Sequence, residues 1–275
     1  MPAPMLKLGD LMIVPLSDGG VNPSPTEFFP SAPAEAWQQE QEFLNADGNL
    51  SLNFGCFLVQ EGGQWNIVDT GIGGRGGQMP VGKLMGELDK AKVKPEQIGR
   101  VIITHLHGDH IGWNTIDKDG KPEIVFKNAR HIVQRREWEY WAQPEVAQAS
   151  PVIGLCAEPL KAAGLLDLID GDRSITPSMS SLFTPGHTPG HQSVLLASGG
   201  EKAIITGDMA HSPVQLNHPD WSSAADADKQ QSAETRTNLF DRIEQEGLRM
   251  CAGHYPYPSI GTIVRVEGKR RWQGI

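Results

Sequence analysis

Cysteine is scarce in this chain. Its 275 residues hold three, Cys56, Cys156 and Cys251, and no two stand in a CxxC pair. An odd, scattered count speaks against a disulfide framework and against a thiolate zinc site, so reducing surroundings are the simpler expectation. Cys56 lies in an apolar, strand-like run and reads as a small buried residue. Long apolar runs are missing as well. The early run Leu11 to Leu16 falls far short of the roughly 20 residues that cross a bilayer. The opening Met1-Pro2-Ala3-Pro4-Met5-Leu6-Lys7 carries no basic segment ahead of an apolar one. The expectation is no membrane and a cytoplasmic location. Basic charge is in deficit: 24 Lys and Arg face 33 Asp and Glu, a net charge of −9. Nucleic acid calls for a basic footprint, so no nucleic-acid partner is expected. The densest basic cluster, Lys269-Arg270-Arg271, reads as a solvated C-terminal turn. Two familiar signatures are also absent, the GxxxxGK[ST] phosphate loop and the GxSxG nucleophile elbow. The glycine-rich stretch Gly71 to Gly77, with Arg75, contains no GxxxxGK[ST] and is not a GxGxxG followed by a clear helix.

What is present describes an ordinary globular protein, with 39% hydrophobic and 21% charged residues. No internal repeat or composition break marks a boundary, and the expectation is a single domain over residues 1–275. Strands are predicted at Leu11–Leu16, Phe54–Val59, Trp65–Val68, Val101–Ile103, Ile132–Val133, Ser181–Thr184, Ser193–Leu196, Ala203–Ile205, Leu248–Cys251 and Ile263–Val266. Glu61-Gly62-Gly63 is a hairpin signal. Helices are predicted at Ala34–Leu44, Lys83–Ala91, from Arg135 to Trp141, and at Ala227–Glu246. A loop from Asp18 to Pro33 and the helix after it form an N-terminal extension at about 18–45. Phe28 and Phe29 there either line a binding loop or cover the core, and both readings stand.

Chemistry concentrates in His105-Leu106-His107-Gly108-Asp109-His110. The strand Val101–Ile103 delivers the chain into His105, and residues two apart on extended backbone share a face. Histidine nitrogens and aspartate oxygens are the usual zinc donors. One short loop cannot easily wrap four of them around one ion. Further donors follow later strands: His187 in Thr184-Pro185-Gly186-His187-Thr188-Pro189-Gly190-His191, Asp208 in Thr206-Gly207-Asp208, and His254 in Ala252-Gly253-His254. Five histidines and two aspartates suffice for two metals that share one carboxylate.

These motifs, together with Val68-Asp69-Thr70-Gly71, resemble the metallo-β-lactamase superfamily from about residue 50 to 255. The resemblance implies an α/β fold, an αββα sandwich of two mixed β-sheets flanked by helices. It implies His105, His107 and His187 on one metal, Asp109, His110 and His254 on the other, and Asp208 bridging. It also implies that Asp69 supports the metal loop from behind. His191 is expected to play a structural part. Relatives that open acyl-homoserine lactones tend to carry a tyrosine three residues after the bridging aspartate, where this chain has His211. That departure sets a quorum-signal substrate in question and offers His211 as a hydrogen-bond donor to substrate.

The layout around Trp138, Ser212-Pro213-Val214-Gln215 and Pro258 to Gly268 is similar to the lactonase, arylesterase and methyl-parathion-hydrolase-like branch. The expected function is a metal-dependent hydrolase that cleaves a lactone or carboxylic ester with a hydroxide bridging two divalent ions, zinc first and Mn, Fe or Co as alternatives. Asp109, Asp208 and His211 are the catalytic candidates. Phosphotriester hydrolysis on the same site is the nearest alternative; RNA processing and metal binding without catalysis come from other classes. Phe28-Phe29, Trp138, Trp141 and His218-Pro219-Asp220-Trp221 suggest an aromatic pocket, with core packing the favoured reading for Trp138 and Trp141. A homodimer through Phe28 and Phe29 is a further expectation.

Overall fold

Alternation along the strands sets the layers, because successive side chains of a strand point to opposite faces. The computed structural model describes residues 4–275 apart from Gly76, Gln78 and the side chain of Arg75, so the glycine-rich stretch 71–77 lies partly outside the described residues. The first half runs β1 (Leu6–Leu8), β2 (Leu11–Val21), α1 (Pro25–Phe28), β3 (Leu52–Glu61), β4 (Gln64–Val68), α2 (Leu84–Lys90), β5 (Ile98–Ile102) and α3 (Gly108–Ile111). A hairpin of β6 (Thr115–Lys118) and β7 (Lys121–Ile124) follows, then β8 (Arg130–Gln134), α4 (Arg135–Trp141), α5 (Pro144–Ala149), α6 (Val152–Cys156), α7 (Glu158–Ala162) and β9 (Leu166–Ile169). The second half holds β10 (Arg173–Ser174), β11 (Met179–Phe183), β12 (Gln192–Ser198), β13 (Glu201–Ile205), α8 (Lys229–Glu246), β14 (Arg249–Cys251), β15 (Ile260–Val266) and β16 (Lys269–Gly274).

Two seven-stranded sheets result, ordered β1-β2-β3-β4-β5-β8-β9 and β10 through β16 in sequence. Both are mixed: β4, β5, β8 and β9 run parallel, as do β13 and β14, and the other neighbours are antiparallel. Ile13, Phe57, Val59 and Ile102 of the first sheet meet Val194, Leu196, Ile205 and Cys251 of the second in one apolar layer. Their sequence neighbours point outward. Val14, Cys56, Leu58 and Val101 pack beneath Leu84 and Leu88 of α2 and Leu160 of α7. Ile204 and Met250 pack beneath Leu239, Phe240 and Ile243 of α8. Each such side chain contributes about 1.5–3 kcal/mol when fully buried. The outcome is helix, sheet, sheet, helix, as the resemblance implies. Among the described residues no helix is long and apolar enough to cross a membrane.

Several expectations need correction. Strand β2 does not end at Leu16 but continues to Val21 through a bulge between Ser17 and Gly20. Asp18 looks like loop polarity in the sequence. In the fold it is a buried carboxylate that accepts hydrogen bonds from the backbone N–H groups of Ile72, Gly73 and Leu84 and from Trp113 Nε1. The segment read as a helix over Ala34–Leu44 forms two 3₁₀ turns, Ala34–Gln38 and Gln41–Phe43. Only Trp37 of these turns is buried, too narrow an apolar stripe to hold a longer helix in place. Lys269-Arg270-Arg271 is not a solvated turn but part of β16, paired along β15. Arg270 pairs with Glu244 at 3.0 Å and with Asp241, and Arg271 pairs with Glu42.

The segment predicted as an N-terminal extension packs against the rest of the chain in a separate small core, in which Phe29 and Trp37 meet Leu50, Leu52, Val214 and Trp221. Phe29 is fully buried, so it offers no surface to a second subunit, and Phe28 is half-buried.

Candidate metal centre

The candidate residues arrive on loops that leave the carboxyl ends of strands. Asp69 follows β4, the run 103–110 follows β5, His187 follows β11, Asp208 follows β13 and His254 follows β14. Parallel pairing of β4 with β5 and of β13 with β14 turns these ends the same way. The two sheets are stitched together at this edge. Gln192 donates from its backbone N–H to Thr104 O at 3.0 Å and from Nε2 to Ile103 O at 2.7 Å. Gly55 N–H donates to Gly253 O at 3.1 Å.

Beside a triad of His187, His211 and Asp226, two groups of donors there share Asp208: His105 with His107, His187 and Asp208, and Asp109 with His110, Asp208 and His254. Within each, the ligand atoms lie within 4.8 Å of one another. In the first, His107 Nδ1 is 2.9 Å from both His105 Nε2 and His187 Nε2. Asp208 Oδ2 lies 3.4 Å from His187 Nε2 and 3.7 Å from His105 Nε2. In the second, His110 Nε2 is 3.2 Å from Asp208 Oδ1 and 3.6 Å from Asp109 Oδ2. His254 Nε2 is 3.0 Å from Asp208 Oδ2 and 3.6 Å from Asp109 Oδ2. Asp208 belongs to both groups. The structure thus gathers all seven metal-binding candidates.

The surroundings fit two cations. The far nitrogens are already engaged: His187 Nδ1 with Asp226 Oδ1 at 2.8 Å, His110 Nδ1 with Asp69 Oδ2 at 2.8 Å, His254 Nδ1 with Asn53 O at 2.7 Å, and His105 Nδ1 with Thr104 Oγ1 at 3.0 Å. Such partners fix the tautomer and turn the remaining lone pair inward. His110 Nε2 and Asp208 Oδ1 are buried and face each other at 3.2 Å, yet neither makes a well-aligned hydrogen bond, an arrangement that costs free energy unless something else satisfies them. Burial pushes His107 down to about 3 and His105 well below its ordinary value, so both rings stay neutral and free to ligate. Burial also opposes charge on His110, yet Asp208, Asp109 and Asp69 outweigh it and hold His110 well above the usual range. That side of the site calls for positive charge, which a divalent ion supplies. Imidazole and carboxylate donors suit zinc, and also Mn, Fe or Co.

The flanking candidates take distinct places. His211 Nε2 is 3.3 Å from Asp208 Oδ2, and its ring stacks on His254 at 5.3 Å. Phe28 meets the same ring edge-on at 5.3 Å, and His211 Nδ1 is buried without a partner. His191 lies outside both ligand groups. Its Nε2 accepts from Asp208 N–H at 3.0 Å, and its Nδ1 lies 2.9 Å from Thr184 O, so it holds the loop. Asp69 accepts from Thr104 N–H and Oγ1, both at 2.8 Å, as well as facing His110. It does so from left-handed backbone at φ 59°. Trp138 packs against the core beneath the first sheet, Trp141 does so while its ring also faces His107 at 5.3 Å, and Trp221 is core.

Sequence reasoning missed three buried residues behind the donors. Asp226, besides holding His187, accepts from Arg236 Nη2 at 3.1 Å. Arg236 also donates to Met209 O, beside Asp208, at 2.8 Å. Its signal was available: it shares the inward stripe of α8 with Ser232, Leu239, Phe240 and Ile243. Asp226 stands just before the predicted start of that helix at Ala227, two residues ahead of the N-cap Asp228. Glu137, on the first turn of α4, is fully buried and hydrogen-bonded on both oxygens.

The chain matches the Metallo-beta-lactamase superfamily model over residues 56–254. It is similar to an N-acyl homoserine lactonase of Bacillus cereus, with 35% identity over 174 residues, 61% of this chain and 60% of that protein. It thus spans about three-fifths of that relative's length. N-acyl homoserine lactonase AiiA of Bacillus thuringiensis subsp. kurstaki is 25% identical over 228 residues, 74% of this chain and 82% of the relative. Among solved structures, hydrolase AbOPH in the beta lactamase superfamily superposes with a TM-score of 0.85 at 27% identity, covering 98% of this chain and 96% of that one. AidC, a dizinc quorum-quenching lactonase, shares the fold with a TM-score of 0.85 at 24% identity over 99% of this chain and 97% of that one. By its sequence match and by its fold, the chain belongs to the metallo-β-lactamase superfamily.

Proposed function

We propose that this chain is a two-metal hydrolase that opens lactones, with carboxylic esters as the neighbouring substrate class. The observation that carries this reading is Asp208, one carboxylate common to two groups of donors. Relatives named N-acyl homoserine lactonases support the lactone. His105, His107 and His187 would hold one ion and Asp109, His110 and His254 the other, with Asp208 between them. Two such ions supply Lewis-acid polarisation of the substrate oxygen and a water that loses its proton near neutral pH. The chain's own residues supply the rest. Asp109 and Asp208 orient the attacking oxygen. His211, kept neutral by burial, donates a hydrogen bond to a substrate oxygen, the part that tyrosine takes in similar lactonases. The rings of Phe28 and Trp141 flank His211 and His107 and exclude water. A net charge of −9 favours a small neutral substrate over RNA.

The test pairs elemental analysis of purified protein with turnover of an acyl-homoserine lactone, an aryl ester, a phosphotriester and RNA, before and after chelation. About two metals per chain and chelator-sensitive cleavage that is fastest on the lactone are expected. Faster ester or phosphotriester cleavage would replace the substrate class, and RNA cleavage would replace the enzyme class. No metal after reconstitution and no turnover would overturn the hydrolase reading.

A further inference from the structure

Glu137 stands outside the donors yet touches both loops that carry the three histidines of the first group, and not the loop of Asp208. Its Oε1 accepts from the backbone N–H of Leu106 at 2.9 Å and from Trp141 Nε1 at 2.7 Å. Its Oε2 accepts from Thr188 Oγ1 at 2.7 Å and from the backbone N–H of Gly190 at 2.9 Å. Leu106 lies between His105 and His107, and Thr188 follows His187. The Trp141 ring that Glu137 holds lies against His107, 5.3 Å between ring centres. None of these four bonds reaches a residue next to Asp109, His110 or His254. The approach is tight: a Cβ on Gly190 would come within 2.1 Å of Glu137 N, so α4 and the 187–191 loop meet backbone to backbone.

We propose that Glu137 is a positioning residue for one metal only, fixing the backbone that aims His105, His107 and His187 at a common point. This rests on the two-metal reading and deepens it. A buried carboxylate with four donors around it has a fixed geometry, and its loss frees one triad while leaving the other in place.

Glu137→Gln tests this, because the carboxamide turns an NH2 toward two donors whichever way it sits. The readout is zinc binding to the metal-free chain, titrated against a chromophoric chelator to give two dissociation constants. The wild type and Asp109→Asn serve as references, the latter marking the event that belongs to the second group. In Glu137→Gln the first-group event weakens about 10–100-fold, the size seen for outer hydrogen-bond partners of metal ligands. The other event stays where it is in the wild type. Equal weakening of both events, or no weakening, overturns the proposal. Should Glu137→Gln fail to fold, Trp141→Phe removes one donor and leaves the clamp. A smaller weakening of the same event is expected from it, and an unchanged first-group constant overturns the proposal. A wild-type chain that takes up fewer than two zinc ions instead overturns the two-metal reading, and that is read from the wild-type arm alone.

Discussion

At the scale of single residues, charge and burial make distinct demands. Asp226 and Arg236 are a fully buried ion pair, and Asp226 also holds His187. Asp226→Ala leaves a guanidinium buried without its carboxylate, at a cost of about 3–5 kcal/mol. It also frees the His187 ring, which weakens zinc binding about 10–100-fold. Adding Arg236→Met removes the stranded charge. The double variant should regain most of the stability in urea unfolding but none of the zinc affinity. Recovery of both would show that Asp226 acts only through Arg236. His211 makes a different demand, since its proposed task is to meet the substrate. His211→Phe should keep both metals and lose about 10²-fold in kcat/KM, the scale of one lost oxyanion donor. Metal content measured beside the kinetics decides it, because a parallel fall in bound zinc would make His211 a ligand.

At the scale of elements, the same substitution has opposite signs in two places. Gly190 presses on the first turn of α4, where an added Cβ would meet backbone atoms of Glu137 at 2.1 and 2.5 Å. Gly190→Ala should destabilise by about 1–3 kcal/mol. Gly86 lies exposed in α2 with nothing near its added Cβ, so Gly86→Ala should stabilise by up to about 1 kcal/mol. Thermal midpoints of the two variants check both signs. Elements with strong periodicity and their own boundaries were legible in the sequence. The hairpin of β3 and β4, with Gly62 and Gly63 both at positive φ, and the long helix α8, predicted from Ala227 and found from Lys229 to Glu246, are examples. The short helices α5, α6 and α7 were not, because each is too brief to show an apolar stripe. Nor was β16, whose arginines find their acids in α8 and in the N-terminal extension. The donor residues were legible because they crowd into short motifs. Glu137, Asp226 and Asp18 were not, because a buried carboxylate is recognised by its donors, and those are distant in sequence.

At the scale of the whole molecule, loss of stability in acid has an identifiable source away from the site. His131 lies fully buried in β8, and burial lowers it from 6.5 to about 4. Between those values the unfolded chain binds more protons than the folded one. Stability is therefore full above pH 6.5 and falls as the pH drops toward 4, by about 3 kcal/mol from this group. In metal-free protein, His131→Phe should reduce the loss of unfolding free energy in urea between pH 7 and 4 by that amount. An unchanged slope would remove His131 as the source.

The division of the donors between the sheets has a mechanical consequence. His105, His107, Asp109 and His110 leave the first sheet, while His187, Asp208 and His254 leave the second. Each ion would therefore rivet one slab of the sandwich to the other, closing chain loops as long as the span from Asp109 to His254. Riveted in this way, the slabs could not slide or part without first releasing metal. Chelation should then do more than silence the site: amide exchange across the layer between Ile102 and Ile205 should quicken, and the two halves should come to unfold as separate bodies.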